Sequence, residues 1–351
     1  MDRHFHIVGI GRSGTTLLQS LLNAHPSIWA GPENYFIPFF YNAWKDKTHW
    51  DAKDLELAAR FHNSFGKLQP YVGFYFDSDR LLKAKTINSY ASFIQSTYNA
   101  FVDELDPEKK ASVFVNKNPI HSLYINELLR IDPKSKFIWM MRDYRANIHS
   151  RKKSKHLKTA NVYYNMVRWL RFEKKLSAFA ARHPDQILIV NYEDLVSQPN
   201  KIMDQVFSFL SMATVGDVQE MLAPYQKLFE AEVTQHYQNT ARMKKRFGDL
   251  AQPIHADAIS QWKTGLTKHE IDVCESLANG VAKKYGYQDI QKRSRLQVLW
   301  FQTKALFFEL RVTLEHIKDR CFNALPISFK VYYFEKWVDK IQQKRRNNVE
   351  R

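Results

Sequence analysis

Short apolar runs punctuate the chain, and helical spacing fills the intervals between them. His6-Ile7-Val8-Gly9-Ile10, Ser112-Val113-Phe114-Val115, Phe137-Ile138-Trp139-Met140-Met141 and Ile187-Leu188-Ile189-Val190 are brief, rich in β-branched and aromatic residues, and bounded by polar positions. Runs of this kind read as strands buried on both faces of a parallel sheet. Ile28-Trp29-Ala30 reads as a further short extended piece. Leu17 to Leu22 follows the first run as an amphipathic helix, which Pro26 ends by biasing the preceding residue away from helical backbone. Residues 52–105 are helical in pattern, with Leu55, Ala58, Ala59, Phe61 and Phe65 on one stripe and Ala91, Ile94, Tyr98 and Phe101 on another. Helical patterns recur over 122–130 and 160–182. Strands alternating with helices predict an α/β fold, a three-layer sandwich around a central parallel sheet.

The last part of the chain differs in kind. From Lys292 onward it holds 14 Lys/Arg against 6 Asp/Glu, half of the formal charge of +16 carried by all 351 residues. Leu299, Leu306, Leu310, Leu314 and Ile317 form an apolar helical stripe, and after a break at Leu325-Pro326 the segment Phe329 to Trp337 mixes aromatics with bases. The chain thus divides into an α/β domain over 1–290 and a basic amphipathic helical tail over 291–351. Two cysteines, Cys274 and Cys321, exclude a disulfide scaffold and a four-cysteine zinc site. No apolar run approaches a bilayer-spanning length, and Asp2, Arg3 and His4 leave no room for a signal peptide, so a cytoplasmic location is expected. The positive charge calls for an anionic partner, leaving nucleotide, sulfated glycan, nucleic acid and acidic lipid open.

The chemistry concentrates where strands end. After the first run, Gly9 and Gly14 have the G-x-x-x-x-G spacing of a phosphate-cradling P-loop, but Thr15 stands where its lysine belongs. The amides of such a loop, aimed by a helix N-terminus, still form an anion site. What is lost is the cation that reaches the β- and γ-phosphates of a nucleoside triphosphate. The second and third long runs end in Asn116-Lys117-Asn118-Pro119 and in Arg142-Asp143, the latter followed by a helix with Arg145 and Ser150; the fourth ends in Asn191-Tyr192-Glu193-Asp194. Ligands of such sheets bind beyond the carboxyl ends of the strands. A crevice rimmed by Arg12, Lys117, Arg142 and Ser150 suits a ligand with two separate phosphate groups. Blander readings exist: Arg142 as a surface salt bridge to Asp143, Asn116-Lys117 as an exposed turn, Tyr192 as a half-buried aromatic at a sheet edge.

Gly-Arg-Ser-Gly-Thr-Thr-Leu-Leu, with the later Met-Arg-Asp-Tyr-Arg-Ala-Asn-Ile-His-Ser, resembles the paired signatures of sulfotransferases that use 3′-phosphoadenosine 5′-phosphosulfate (PAPS). Four segments in order (Gly11 to Pro38, Val115 to Pro119, Met141 to Ser150, Ala258 to Trp262) look like tyrosylprotein sulfotransferases, and bacterial members are similar. The resemblance covers roughly residues 5 to 290. It implies that Arg12, Ser13, Gly14, Thr15 and Thr16 hold the 5′-phosphosulfate, that Arg142 and Ser150 take the 3′-phosphate, and that Tyr192 lies by the adenine. Lys117 would neutralise the bridging oxygen of the departing phosphate, with Arg12 and Ser260 on the sulfuryl oxygens. Glu33, in Gly31-Pro32-Glu33-Asn34, stands where the family carries its catalytic carboxylate; its plainer reading is a loop-surface acid, and His25 is a rival base. No metal is implied.

The chain departs from these relatives at Tyr35 and Phe39, where tyrosylprotein sulfotransferases carry arginines that grip acidic peptides. The aromatic stretch Tyr35 to Tyr41 reads mostly as packing, and any of it that lines the acceptor site suits a sugar face, a phenol or a lipid. A glycan, glycolipid or small hydroxylated metabolite is therefore the leading acceptor class and protein tyrosine the next. The tail lies outside the resemblance. It reads either as helices packed back on the domain or on a second subunit, giving a homodimer, or as a basic face making peripheral contact with an anionic membrane. Two rival functions remain: a P-loop kinase or NTPase, opposed by Thr15, and a nucleic-acid-binding protein, supported by charge alone and by no recognition module.

Overall fold

All five runs become strands of one parallel sheet: β1 His4–Val8, β2 Ile28–Gly31, β3 Val113–Lys117, β4 Lys136–Met141 and β5 Ile187–Asn191, in the order β2-β3-β1-β4-β5. The computed structural model describes residues 4–31, 33–68, 87–105, 111–154, 161–218, 220, 257–288 and 293–347. Register aligns Ile7 with Lys117, Gly31 with Asn116, Val8 with Trp139 and Met141 with Asn191, so the loaded strand ends emerge along one edge. β1 stops at Val8, two residues earlier than the apolar run. Gly9 turns the chain out with φ 133°, and a Cβ there would lie 2.5 Å from the Met140 carbonyl oxygen.

Alternation along the strands separates two cores. Phe5, Ile7, Val113, Val115, Ile138 and Met140 pack under α1 Thr15–Asn23 and, later in the chain, Leu195 and the helix Pro199–Leu210. Val8, Phe114, Phe137, Trp139 and Met141 face the other way, into a larger core. That face is covered by α2 Phe36–Trp44, α3 Ala52–Leu68, α4 Tyr90–Leu105, α5 Ile125–Ile131, α6 Tyr144–Lys153 and α7 Val162–Arg182. The expected three layers are present. The helical pattern over 52–105 resolves into α3 and α4, and residues 69–86 between them lie outside the described residues, as does the Phe101 side chain. Over 122–130 the chain forms a 3-10 turn, Pro119–Tyr124, before α5: Pro119 has no N–H, and Asn118 Oδ1 accepts from Ile120 N at 3.2 Å.

Beyond β5 run α8 Tyr192–Ser197, α9 Pro199–Leu210, α10 Asp257–Ser260, α11 Trp262–Gly265 and α12 Lys268–Ala278, then the tail helices α13 Arg295–Asn323 and α14 Ile327–Asn347, broken at Leu325-Pro326. α13 packs on α7 and α12, and α14 packs on α2 and α3. Packing uses Phe301, Ala305 and Val312 of α13 and Val331, Phe334 and Val338 of α14, all part of the larger core. The stripe conspicuous in the sequence points the other way: Leu306 is 67% and Leu310 59% exposed. Among the described residues no helix is long and apolar enough to cross a membrane.

Asn23 joins α1 to the edge strand β2, donating to Ala30 O at 2.8 Å and accepting from Ala30 N at 2.6 Å. Both bonds are buried, and because Gln19 also donates to Ala30 O at 3.0 Å, Asn23→Ala leaves the Ala30 N–H unpaired and is expected to destabilise the protein by about 1–3 kcal/mol in urea unfolding. A loss below about 0.5 kcal/mol would show that water or a shifted side chain replaces the amide.

Candidate active site

The strands are parallel, so the segments leaving β1, β2, β3 and β4 all begin at the same edge, and β1 lies at the point where the chain's progress across the sheet reverses. From β1 comes the loop Gly9 to Gly14. Gly9 N donates to Ser122 Oγ at 2.8 Å, anchoring the loop to the turn after β3. Arg12 takes φ 77°, a left-handed conformation uncommon for a residue with a Cβ and characteristic of functional loops. Asn147 of α6 holds the loop from behind, donating to Gly11 O at 3.1 Å and to Ser13 Oγ at 3.0 Å. Gly14, at φ 86°, starts α1 without a side-chain cap, so the first amides of the helix face the crevice. A Cβ on Gly14 would sit 2.4 Å from the Tyr192 ring.

Next to this loop is a buried ion pair. Lys117, the last residue of β3, donates from Nζ to Glu33 Oε1 at 2.5 Å, and both side chains are less than 10% exposed. Glu33 follows β2 by two residues, and its approach is fixed from several sides. Gln19 of α1 donates to the carbonyls of Ala30 and Gly31 at 3.0 and 2.7 Å, and Asn118 donates to Asn34 O. Asn116 donates to the Tyr98 hydroxyl and approaches His121 Nδ1 at 3.2 Å. Burial keeps the Tyr98 phenol protonated by pushing its pKa up and pushes the His121 imidazole down to about 3. Glu33 is therefore no loop-surface acid, and Asn116-Lys117 is no exposed turn.

The third group surrounds Arg142, one residue beyond β4. Its Nη1 donates to Arg12 O at 3.1 Å and its Nη2 to Ala258 O at 2.8 Å, and its guanidinium lies 4.3 Å over the Tyr192 ring. Its Nε is buried with no hydrogen-bond partner among the described residues. The plainer alternative, an Arg142–Asp143 bridge, is not formed. Asp143 caps α6 and pairs instead with Arg145 at 2.8 Å, which also meets Glu275 at 2.7 Å and Trp262 face-on at 4.2 Å. Arg12 Nε donates to Ser150 Oγ at 3.0 Å, uniting the loop with α6. Arg151, beside Ser150, is buried; burial and then repulsion from Arg168, partly offset by Tyr164 and with Arg12 also repelling, push it down to about 10. Arg12, Arg142 and Arg151 thus concentrate positive charge at one end of the crevice, whereas Arg145 is neutralised. Among the described residues no group of three or more His, Cys, Asp or Glu is placed to hold a metal ion.

The structure therefore gathers Arg12 to Thr16, Glu33, Lys117, Arg142, Ser150 and Tyr192 at one edge. Ser260 ends the short helix whose Ala258 carbonyl meets Arg142, and its own side chain is exposed. His25 is not in this group. It lies before β2, at the opposite edge of the sheet, where its Nδ1 accepts from Ser27 N at 3.0 Å and its ring meets Phe207, as a helix terminator should. The sequence reading missed Asn147, Ser122 and Asn118, which shape the loops. Asn147 was findable: it lies three residues before Ser150 and therefore on the same helical face.

Comparison with known proteins fits this geometry. The sequence profile of the sulfotransferase family matches residues 5–216. A putative protein-tyrosine sulfotransferase of Caenorhabditis briggsae is 26% identical over 262 residues, covering 72% of this chain and 78% of that protein. Protein-tyrosine sulfotransferase 1 of Danio rerio is 26% identical over 281 residues, covering 78% and 68%. Among solved structures, the sulfotransferase domain from the curacin biosynthetic pathway has a TM-score of 0.52 at 20% identity, covering 82% of this chain and 99% of its own. The sulfotransferase domain of the Synechococcus PCC 7002 olefin synthase gives 0.53 at 16%, covering 82% and 96%. These two share the fold.

His121 sets a pH dependence. Between its ordinary pKa of 6.5 and about 3, the unfolded chain binds a proton that the folded chain refuses. Its contribution to stability is complete above pH 6.5 and is lost as pH falls toward 3, by up to about 1.4 kcal/mol per pH unit. His121→Asn should flatten the acid side of the stability profile measured by urea unfolding at a series of pH values. An unchanged slope would mean that His121 charges freely in the fold.

Proposed function

This chain belongs to the sulfotransferase family and draws on PAPS as its donor; from that premise we propose that Glu33 and Lys117 carry the transfer of a sulfuryl group to an acceptor hydroxyl. The observation that carries this reading is the buried Lys117–Glu33 contact at 2.5 Å, set between the loop of β1 and the edge strand. A carboxylate and an ammonium in one dry site are the two groups that an in-line displacement at sulfur requires, one for the incoming proton and one for the departing charge.

The residues present fit the donor. The unpartnered Nε of buried Arg142 and the uncapped start of α1 give two separate places for anionic oxygens. When bound, the donor supplies a sulfuryl group already activated by attachment to phosphate. Arg12 and the amides and hydroxyls of Ser13, Gly14, Thr15 and Thr16 hold the phosphosulfate end. Arg142 and Ser150 take the 3′-phosphate, and the Tyr192 ring, wedged against Gly14 and carrying Arg142, flanks the adenine. With donor and acceptor bound, Glu33 would take the acceptor's hydroxyl proton and Lys117, at the end of β3, would neutralise the charge left on the departing phosphate. Arg12 and Ser260 steady the sulfuryl oxygens.

For the acceptor, the segment after Glu33 is the guide. Asn34 to Tyr41 contains no cation. Tyr35 stacks on Phe65 at 4.0 Å and Phe39 meets Phe61 at 4.6 Å with the rings tilted by 47°, so these positions form an aromatic wall. This supports a glycan, glycolipid or small hydroxylated metabolite over an acidic peptide. Protein tyrosine is the second reading, favoured by the names of the relatives.

Adenosine 3′,5′-bisphosphate should raise the thermal midpoint and ATP should not. Preference for ATP, or no shift with either, overturns the donor assignment. Glu33→Gln should retain the bisphosphate shift and lose about 10²–10⁴-fold in turnover with labelled PAPS against a panel of acceptors. Turnover within about threefold of the parent would remove Glu33 from the proton transfer.

A further inference from the structure

We infer that the outer face of the α13–α14 hairpin docks on an anionic bilayer surface. At about 100° per residue, the packing residues Phe301, Ala305 and Val312 fall on one side of α13, and Leu299, Leu306, Phe307, Leu310, Leu314 and Ile317 fall directly opposite. The six outer side chains are between 50% and 67% exposed, along a helix whose apolar stripe from Leu296 to Ile317 runs about 32 Å. One helix therefore carries two apolar faces, and the domain uses one of them. α14 repeats the plan: Val331, Phe334 and Val338 are buried while Phe329, Tyr332, Tyr333 and Trp337 stand out. A contiguous patch of this extent is far more than scattered surface leucines and marks an interaction site.

Charge identifies the occupant. Lys304 and Lys318 lie beside the stripe on α13 and Lys336 and Lys340 among the aromatics of α14, whereas Arg311 is held by Glu315 at 3.2 Å and lies over the Tyr164 ring. The Lys304 ammonium lies over the Trp300 ring at 4.5 Å and the Lys336 ammonium over the Tyr332 ring at 4.7 Å, so both cations sit at the surface of the patch beside exposed aromatics. Glu315 and Glu335 are turned toward the domain, the first accepting from the Tyr164 hydroxyl at 2.6 Å and the second forking onto Arg60, and half-exposed Glu309 meets Arg171 at 3.6 Å, which leaves Asp319 and Asp339 in solvent. A second copy pressed on this face would oppose cations with cations. An anionic lipid surface answers them, with leucine and phenylalanine below the headgroups and Tyr, Trp and Lys at their level. Neither helix is apolar enough to cross, so the hairpin lies in the plane of the interface.

Flotation of the full chain with phosphatidylcholine vesicles and with equimolar phosphatidylcholine–phosphatidylglycerol vesicles tests this, alongside size-exclusion chromatography. Binding to the anionic vesicles alone is expected. Leu306→Glu with Leu310→Glu, both at exposed positions, should abolish it without moving the thermal midpoint. Should that variant fold poorly, the triple change K304Q, K318Q and K336Q should lower vesicle affinity about a hundredfold, at roughly fivefold per charge. The inference is overturned if the anionic vesicles are not bound, if both vesicle types bind equally, or if the folded variants bind as the parent does. It is also overturned if the parent ignores vesicles and forms a dimer that the leucine changes dissolve. None of these outcomes depends on the donor or acceptor assignments.

Discussion

A lysine and a glutamate at the ends of neighbouring strands, removed from water and in contact, set the terms for the rest of this molecule. Taking two charges out of solvent costs more than their attraction returns unless the geometry is well supported, and the support is visible. Gln19 and Asn23 of α1 hold β2, Asn118 holds the backbone after Glu33, and a polar cluster of Asn116, Tyr98 and His121 lies behind Lys117. Apolar residues of the same volume would stabilise the fold as well. Stability alone therefore does not account for the pair.

The opposite imbalance prevails at the other end of the crevice. Arg145 is answered by Asp143 and Glu275, whereas Arg12 donates to the Ser150 hydroxyl, Arg142 to the carbonyls of Arg12 and Ala258, and Arg151 to the Asn165 amide oxygen. Carbonyls and hydroxyls partly occupy these guanidiniums, and an aromatic ring supports one of them. Such an arrangement is costly by itself and becomes favourable around a ligand bearing several negative charges. The same fold thus pairs its charges between β2 and β3 and gathers cations between β1 and β4.

The strands were legible because buried parallel strands leave short, β-rich runs, and the β1 loop because glycine spacing records backbone that other residues cannot adopt. Lys117 and Glu33 were legible as members of motifs, whereas their contact was not, since nothing in a sequence states which strand ends are adjacent. His25 misled because the same residue type ends helices and abstracts protons, and only its edge of the sheet distinguishes the two. Periodicity found the wrong stripe of α13 for the core: its large leucines outweigh the smaller Ala305 and Val312 that do the packing. Asp143 seemed the partner of Arg142 by adjacency, yet a residue capping a helix turns its carboxylate inward, toward Arg145.

Lys330 is a small feature with a broad consequence. Its buried ammonium donates to Phe39 O on α2 and to Asn323 O at the end of α13, and burial lowers its pKa to about 8. Phe334, one turn later, packs on the rings of Phe39, Phe61 and Phe65. The wall that begins at Glu33 is thus completed by chain beyond the family match, which ends at residue 216. A change in α14 therefore reaches the rings of Phe39, Phe61 and Phe65 and the backbone of α2 without touching the loop of β1.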